Sequence, residues 1–316
     1  MLLERWRTPR TVLMRVKRPG DILKTLDADG KLDGLPFMPE MVKYCGACIR
    51  VHRRADRTCV VGDGFRRMRN AVFLQDARCD GTAHDGCDRG CLLFWKMDWL
   101  TPAAAMRAAP AAPDAWSAYD DAAARTLQGL PTRAGARYLC QSTALMTATT
   151  PLHRWDIRPL LREMLAGELT VSDFIRIVAG TLRRRAGGGQ RRTLAGSPGR
   201  KSRGDLDLRR GEWVALKPAG ELCKHLDEKG RNCGLGFPST MMHAIGQRYR
   251  VALPVRRIIL EQTGKMVTLD NTVALDGLLC EGTEVANCPR AEYLYCRESW
   301  LTRTAKPAAG ARPPDP

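Results

Sequence analysis

Residues 20–51 reappear in residues 220–251 at a constant offset of 200, which limits the chain to folds that build one small module twice. Gly20/Gly220, Asp27/Asp227, Gly34/Gly234, Phe37/Phe237, Met41/Met241, Gly46/Gly246 and Val51/Val251 are among the matches. A single inserted residue then moves the offset to 201, where Asn70/Asn271, Cys79/Cys280, Gly81/Gly282, Cys87/Cys288, Arg89/Arg290 and Trp99/Trp300 coincide. Matches this dense, with one register shift, mark a tandem duplication.

Each copy carries the same local signals. Met14 and Val16 alternate with polar neighbours, as do the residues from Trp213 to Leu216, the period of a strand. "GDILKTLDADGKLDG" and "GELCKHLDEKGRNCG" give a turn or two of helix ended by glycine. "CIRVHRR" with "NAVFLQ", and "RYRVALP" with "NTVALDG", resume the period of two, and "CLLFWKMDWL" or "EYLYCRESWL" closes the module. Four or five short strands with one excursion predict an α+β chain: two small SH3-like β-barrels joined by a helical segment.

The expected division follows. A Cys/His-rich, metal-binding β module spans 1–100, an Ala/Pro-rich linker 101–135 and a helical connector 136–185; a basic flexible linker covers 186–211. The second β module, lacking most ligands, spans 212–303, before a disordered tail at 304–316. In the connector, Ile157, Leu160, Leu161, Met164 and Leu165 line one predicted helix face ended by Gly167. Phe174, Ile175, Val178 and Leu182 line a second, with Ser172 placed to cap it.

Charge and cysteine content set the chemistry. A formal charge of +17 attracts polyanions, and residues 183–210 hold ten Lys or Arg against two Asp, so a solvated linker and a nucleic-acid or acidic-partner contact are both open. No aromatic residue interleaves that stretch, as a base-stacking platform requires. The charged amino terminus has no signal-peptide core, and no apolar run reaches membrane-span length, which predicts a cytoplasmic protein without a membrane span. In a reducing compartment its 12 cysteines read as metal ligands, reactive thiols or core residues.

The repeat supplies an internal control on those thiols. Cys79 and Cys87 recur as Cys280 and Cys288, whereas Cys45, Cys48, His84 and Cys91 face Ile245, Arg248, Val285 and Glu292, and Cys59 falls near Ile258. A site kept in the first module and lost from the second leaves this pattern. "CDGTAHDGCDRGC" spaces Cys79, His84, Cys87 and Cys91 as C-x4-H-x2-C-x3-C, three thiolates and an imidazole suited to tetrahedral zinc, with Gly81, Gly86 and Gly90 free to turn the chain. Cys45, Cys59, Cys79, Cys87 and Cys91 are also enough thiols for an iron–sulfur cluster, so zinc and iron–sulfur both remain open. Other candidates weigh less: His52 lies among arginines on a strand, Trp95 and Trp99 read as packing, and Asp156 in "TPLHRWD" reads as a helix cap.

The segments "LPFMPEM", "YCG", "RCDGTAHDGCDRGCLLFWK", "CQST", "TPLHRWD", "TGKM" and "ESWL" together resemble a bacterial family of two-module cysteine-rich proteins encoded near biosynthetic genes. That resemblance implies one shared site holding Cys45, Cys59, Cys79, His84, Cys87, Cys91 and Cys140. The expected function is a zinc or iron–sulfur metal-centre protein, a metalloenzyme of metal-dependent oxidoreductase type or a redox accessory protein, serving pathway enzymes. The alternative is a zinc-stabilised tandem SH3-like protein that grips nucleic acid or an acidic partner.

Overall fold

A computed structural model describes residues 12–103, 116–153, 156–185, 194–197, 204, 206–280 and 288–306. Residues 307–316 of the expected tail and most of the basic linker lie outside these residues. The first copy runs β1 (Leu13–Val16), α1 (Pro19–Leu23), β2 (Cys48–Arg54), β3 (Arg57–Val60), β4 (Gly64–Met68), β5 (Ala71–Arg78), β6 (Leu92–Lys96) and β7 (Leu100–Pro102). Helix α2 (Ala118–Gln128), strand β8 (Thr149–Pro151) and helices α3 (Arg158–Leu165) and α4 (Val171–Arg185) follow. The second copy runs β9 (Trp213–Leu216), α5 (Ala219–Cys223), β10 (Arg248–Pro254), β11 (Thr272–Leu279), β12 (Tyr293–Arg297) and β13 (Leu301–Arg303).

Each copy makes a five-stranded antiparallel sheet, in the order β6-β5-β2-β1-β7 in the first and β12-β11-β10-β9-β13 in the second. The duplication extends to register. Leu13 pairs with Arg50 and Trp213 with Arg250, and the ladder slips between Val51 and Arg53 as it does between Val251 and Leu253. Such bulges bend and twist a strand, so both sheets curl around their own cores. Under the first sheet Phe37 meets Trp99 edge-on at 5.3 Å, and Phe237 meets Trp300 at 5.4 Å under the second. Among the described residues no helix is long and apolar enough to cross a membrane.

The cation that closes each sheet is also shared. Lys96, 0% exposed, donates to the Asp33 carboxylate and the Arg69 carbonyl. Its counterpart Arg297 donates to the carbonyls of Asp270, Asn232 and Cys233. Buried charge persists here because each donor has acceptors.

Three expectations need correction. The 101–135 stretch is not loose throughout: Ser117 caps α2 by accepting from the Asp120 amide, and the Asp120 carboxylate accepts from the Gly20 amide. The apolar faces foreseen for the connector turn inward only in part. Leu160 is buried and Leu161, Met164, Phe174 and Val178 are half-buried, but Ile157, Leu165, Ile175 and Leu182 are exposed, whereas Glu163 and Glu168 are buried. The strands explain it: Arg57 donates to Glu163 in a fork, Arg53 lies 3.7 Å from the same carboxylate, and the Arg54 amide donates to Glu168. Two guanidinium groups and one buried strand amide in need of acceptors outweigh part of the apolar stripe. Thr170, not Ser172, caps α4 by accepting from the Asp173 amide.

The chain falls into two compact units that do not follow the repeat boundary. Residues 259–266 and 288–290, from the second copy, belong to the first unit.

Candidate metal centre

Three local devices bring the site together. "LPFMPE" folds into a 3-10 turn, Pro39–Tyr44, with proline at its start, and Glu40 inside it is 5% exposed. Cys79 follows β5 directly. Gly81, at φ +71°, then reverses the chain into a second 3-10 turn, Thr82–His84, and its carbonyl accepts from the amides of His84 (2.9 Å) and Gly86 (3.0 Å). A Cβ on Gly81 would collide with the backbone of Cys87, so glycine is required there for space as well as for φ. The loop returns at Cys91, whose carbonyl accepts from the Cys79 amide at 2.8 Å.

Ligand atoms of Glu40, Cys79 and His84 then lie within 4.8 Å of one another. His84 Nδ1 is 2.6 Å from Glu40 Oε1, and Cys79 Sγ is 3.6 Å from the same oxygen. On the far side of the ring, His84 Nε2 lies 3.0 Å from the Leu139 carbonyl. A carbonyl only accepts, so Nε2 carries hydrogen and Nδ1 is the nitrogen that presents a lone pair to a cation. Backbone support of this kind holds many metal-ligating histidines in one tautomer and orientation.

Without a cation the three groups hold one another. Burial raises the Glu40 carboxyl, but the His84 hydrogen bond and charge outweigh it and leave the group below its ordinary range. Burial lowers His84, yet Glu40 more than compensates and holds it above its ordinary value. Cys79 is pushed strongly upward by burial and then by the Glu40 charge, so it stays a thiol. A divalent ion held by Glu40, Cys79 and His84 would invert that balance, taking the place of the proton between His84 and Glu40 and favouring the Cys79 thiolate. One nitrogen, one sulfur and one carboxylate oxygen form a donor set that zinc accepts.

The other thiols surround this group without joining it. Cys91 Sγ lies 3.5 Å from Ser142 Oγ, and the Cys79 thiol feels the charges of Cys91 and Cys140. Cys87 is buried against Tyr138 and Ile259, and its sulfur accepts from the Ile259 amide at 3.4 Å. Cys140 follows Leu139 and donates its amide to Thr143 Oγ1. Cys59 enters through its carbonyl, which accepts from Arg290 at 2.6 Å. Cys45 ends the first 3-10 turn; burial and the charge of Asp120 in α2 push its thiol up to about 12. No cysteine among the described residues forms a disulfide.

Glu40 is the candidate ligand that cysteine and histidine spacing misses. The signal was in the repeat: Thr240 stands opposite Glu40 as Val285 stands opposite His84, so both candidate non-thiol ligands are absent together from the second copy. A buried ionic frame borders the site. Arg89 and Arg290, repeat counterparts, both donate to Glu261 Oε2 (3.1 and 2.7 Å), whose other oxygen accepts from the Val61 amide at 2.8 Å.

No protein-family model, curated protein or solved structure matches the chain.

Proposed function

We propose that the chain is a metal-centre protein whose first repeat binds one zinc ion through Glu40, Cys79 and His84, and that this centre serves metal-dependent chemistry in a biosynthetic pathway. The observation that carries the reading is the approach of those three ligand atoms to within 4.8 Å, with the imidazole fixed by Leu139. Three protein ligands leave a fourth position, the pattern of a zinc site that works on a bound water or substrate rather than one that only clamps the fold. The mixed donor set supports zinc over an iron–sulfur cluster, which is held mainly by thiolates. Both curled sheets are compatible with SH3-like barrels, a finer assignment that belongs to the same proposal.

Anaerobic purification with metal analysis and a visible spectrum tests it. We expect about one zinc per chain, a colourless protein, and loss of the metal in Cys79→Ser and His84→Ala while the fold persists. Stoichiometric iron with broad visible absorbance would replace zinc by the cluster. A second reading, in which the tandem modules grip nucleic acid, draws on the +17 charge. Its signature is binding that weakens steeply between low and physiological salt.

A further inference from the structure

Beside the metal triad the two chains of the β5–β6 hairpin keep pairing one step past their last bridged residues. Arg78 is registered on Leu92, and the next residues outward are Cys79 and Cys91, joined by the amide-to-carbonyl bond at 2.8 Å. Directly opposed residues of an antiparallel pair have Cα atoms about 4.5–5.5 Å apart. That lies inside the range of about 4.4–6.8 Å that a disulfide spans. Their side chains leave the ladder on one face. Both thiols are partly accessible.

The two sulfurs are not equivalent. Cys79 is the metal ligand, whereas Cys91 stands next to the Ser142 hydroxyl, which in turn lies 3.5 Å from Arg290 Nη2. The second copy keeps the backbone pairing, with the Cys280 amide on the Glu292 carbonyl at 2.7 Å, but a glutamate there forbids the bond.

We propose that Cys79 and Cys91 form a reversible disulfide, driven by a peroxide, that removes Cys79 from the metal and releases the ion. The inference rests on the zinc reading above for its consequence, though not for the bond itself. In the first step the Cys91 thiolate attacks one peroxide oxygen; the S–O bond forms, the O–O bond breaks, and the leaving hydroxide takes a proton to become water. In the second, the Cys79 sulfur, freed of its proton or of a bound ion, gives an electron pair to the Cys91 sulfur. The S–S bond forms, the S–O bond breaks, and the departing hydroxide is protonated to a second water. Two electrons leave the sulfurs and two reduce the peroxide.

The test treats the zinc-loaded full chain with hydrogen peroxide while a colorimetric chelator reads free zinc and intact mass reads oxidation. The wild type should lose about 2 Da, the two hydrogens of one disulfide, release its zinc in step, map the cross-link to Cys79–Cys91, and recover both with dithiothreitol. Cys91→Ser should bind zinc and release it no faster under peroxide than without it. Zinc release from Cys91→Ser at the wild-type rate, or a cross-link mapped to another cysteine pair, would overturn the proposal. A chain that never held zinc but still formed the Cys79–Cys91 bond would instead refute the metal reading and keep the disulfide.

Discussion

Glu168 offers the most quantitative check on how the connector helices are held. Its carboxyl is 5% exposed, accepts from the Arg54 amide at 2.9 Å, and has a second oxygen with no hydrogen-bond partner. Burial pushes it up from 4.5 to about 7, against the lowering influence of the Arg54 bond and the Arg53 charge. The raised value means that the folded chain keeps a proton that the unfolded chain has released. Stability contributed by the protonated carboxyl is therefore present below about pH 4.5 and is lost as pH climbs to about 7. A shift of roughly 2.5 units corresponds to about 3 kcal/mol as an upper value. Glu168→Gln keeps the shape and the acceptor for Arg54 but cannot ionise. Urea unfolding of both proteins from pH 4.5 to 8 isolates the residue, because the other titrating groups cancel in the difference. We expect the glutamine variant to gain on the wild type by about 3 kcal/mol over that window. A difference that stays flat to within about 0.5 kcal/mol would refute the reasoning, since a carboxyl ionised throughout adds no such slope.

Two further substitutions test the devices that shape the site. Gly81→Ala should lose zinc affinity and cost more than about 1 kcal/mol of stability, read by chelator competition and thermal unfolding, because the new Cβ meets the Cys87 backbone and the loop that carries His84 must shift; unchanged affinity would contradict that role. Gln141 bonds both polar groups of the Phe94 backbone at 2.8 and 2.9 Å and also the Pro36 carbonyl, covering the open edge of β6 like a missing strand. Gln141→Ala should cost roughly 2–3 kcal/mol in denaturant unfolding, the penalty of buried backbone groups left without partners.

Much of the fold was legible because duplication prints the same constraint twice. The strands at Cys48–Arg54 and Trp213–Leu216 fall where the alternation placed them. Cys79 and His84 were legible too, since thiol and imidazole are rare and their spacing is local. Glu40 was not, because a carboxylate in "FMPEM" looks like any surface acid until a turn buries it. Nor was the orientation of α3: amphipathic period reports which residues are apolar, and it cannot see that Arg53 on β2 and Arg57 on β3 claim Glu163, or that the Arg54 amide claims Glu168 just beyond the helix.

The shared carboxylate of Glu261 carries a lesson about how such a chain changes. Arg89 and Arg290 descend from one ancestral position, yet both now answer to an acid that only the second copy supplies. A gene cut between the repeats would strand Arg89 and the Val61 amide without their acceptor. The copies are thus no longer heirs living apart. The short stretch of the second copy that holds Glu261 belongs to the same compact unit as Glu40, Cys79 and His84, so a substitution at Glu261 would be felt by Arg89 in that unit.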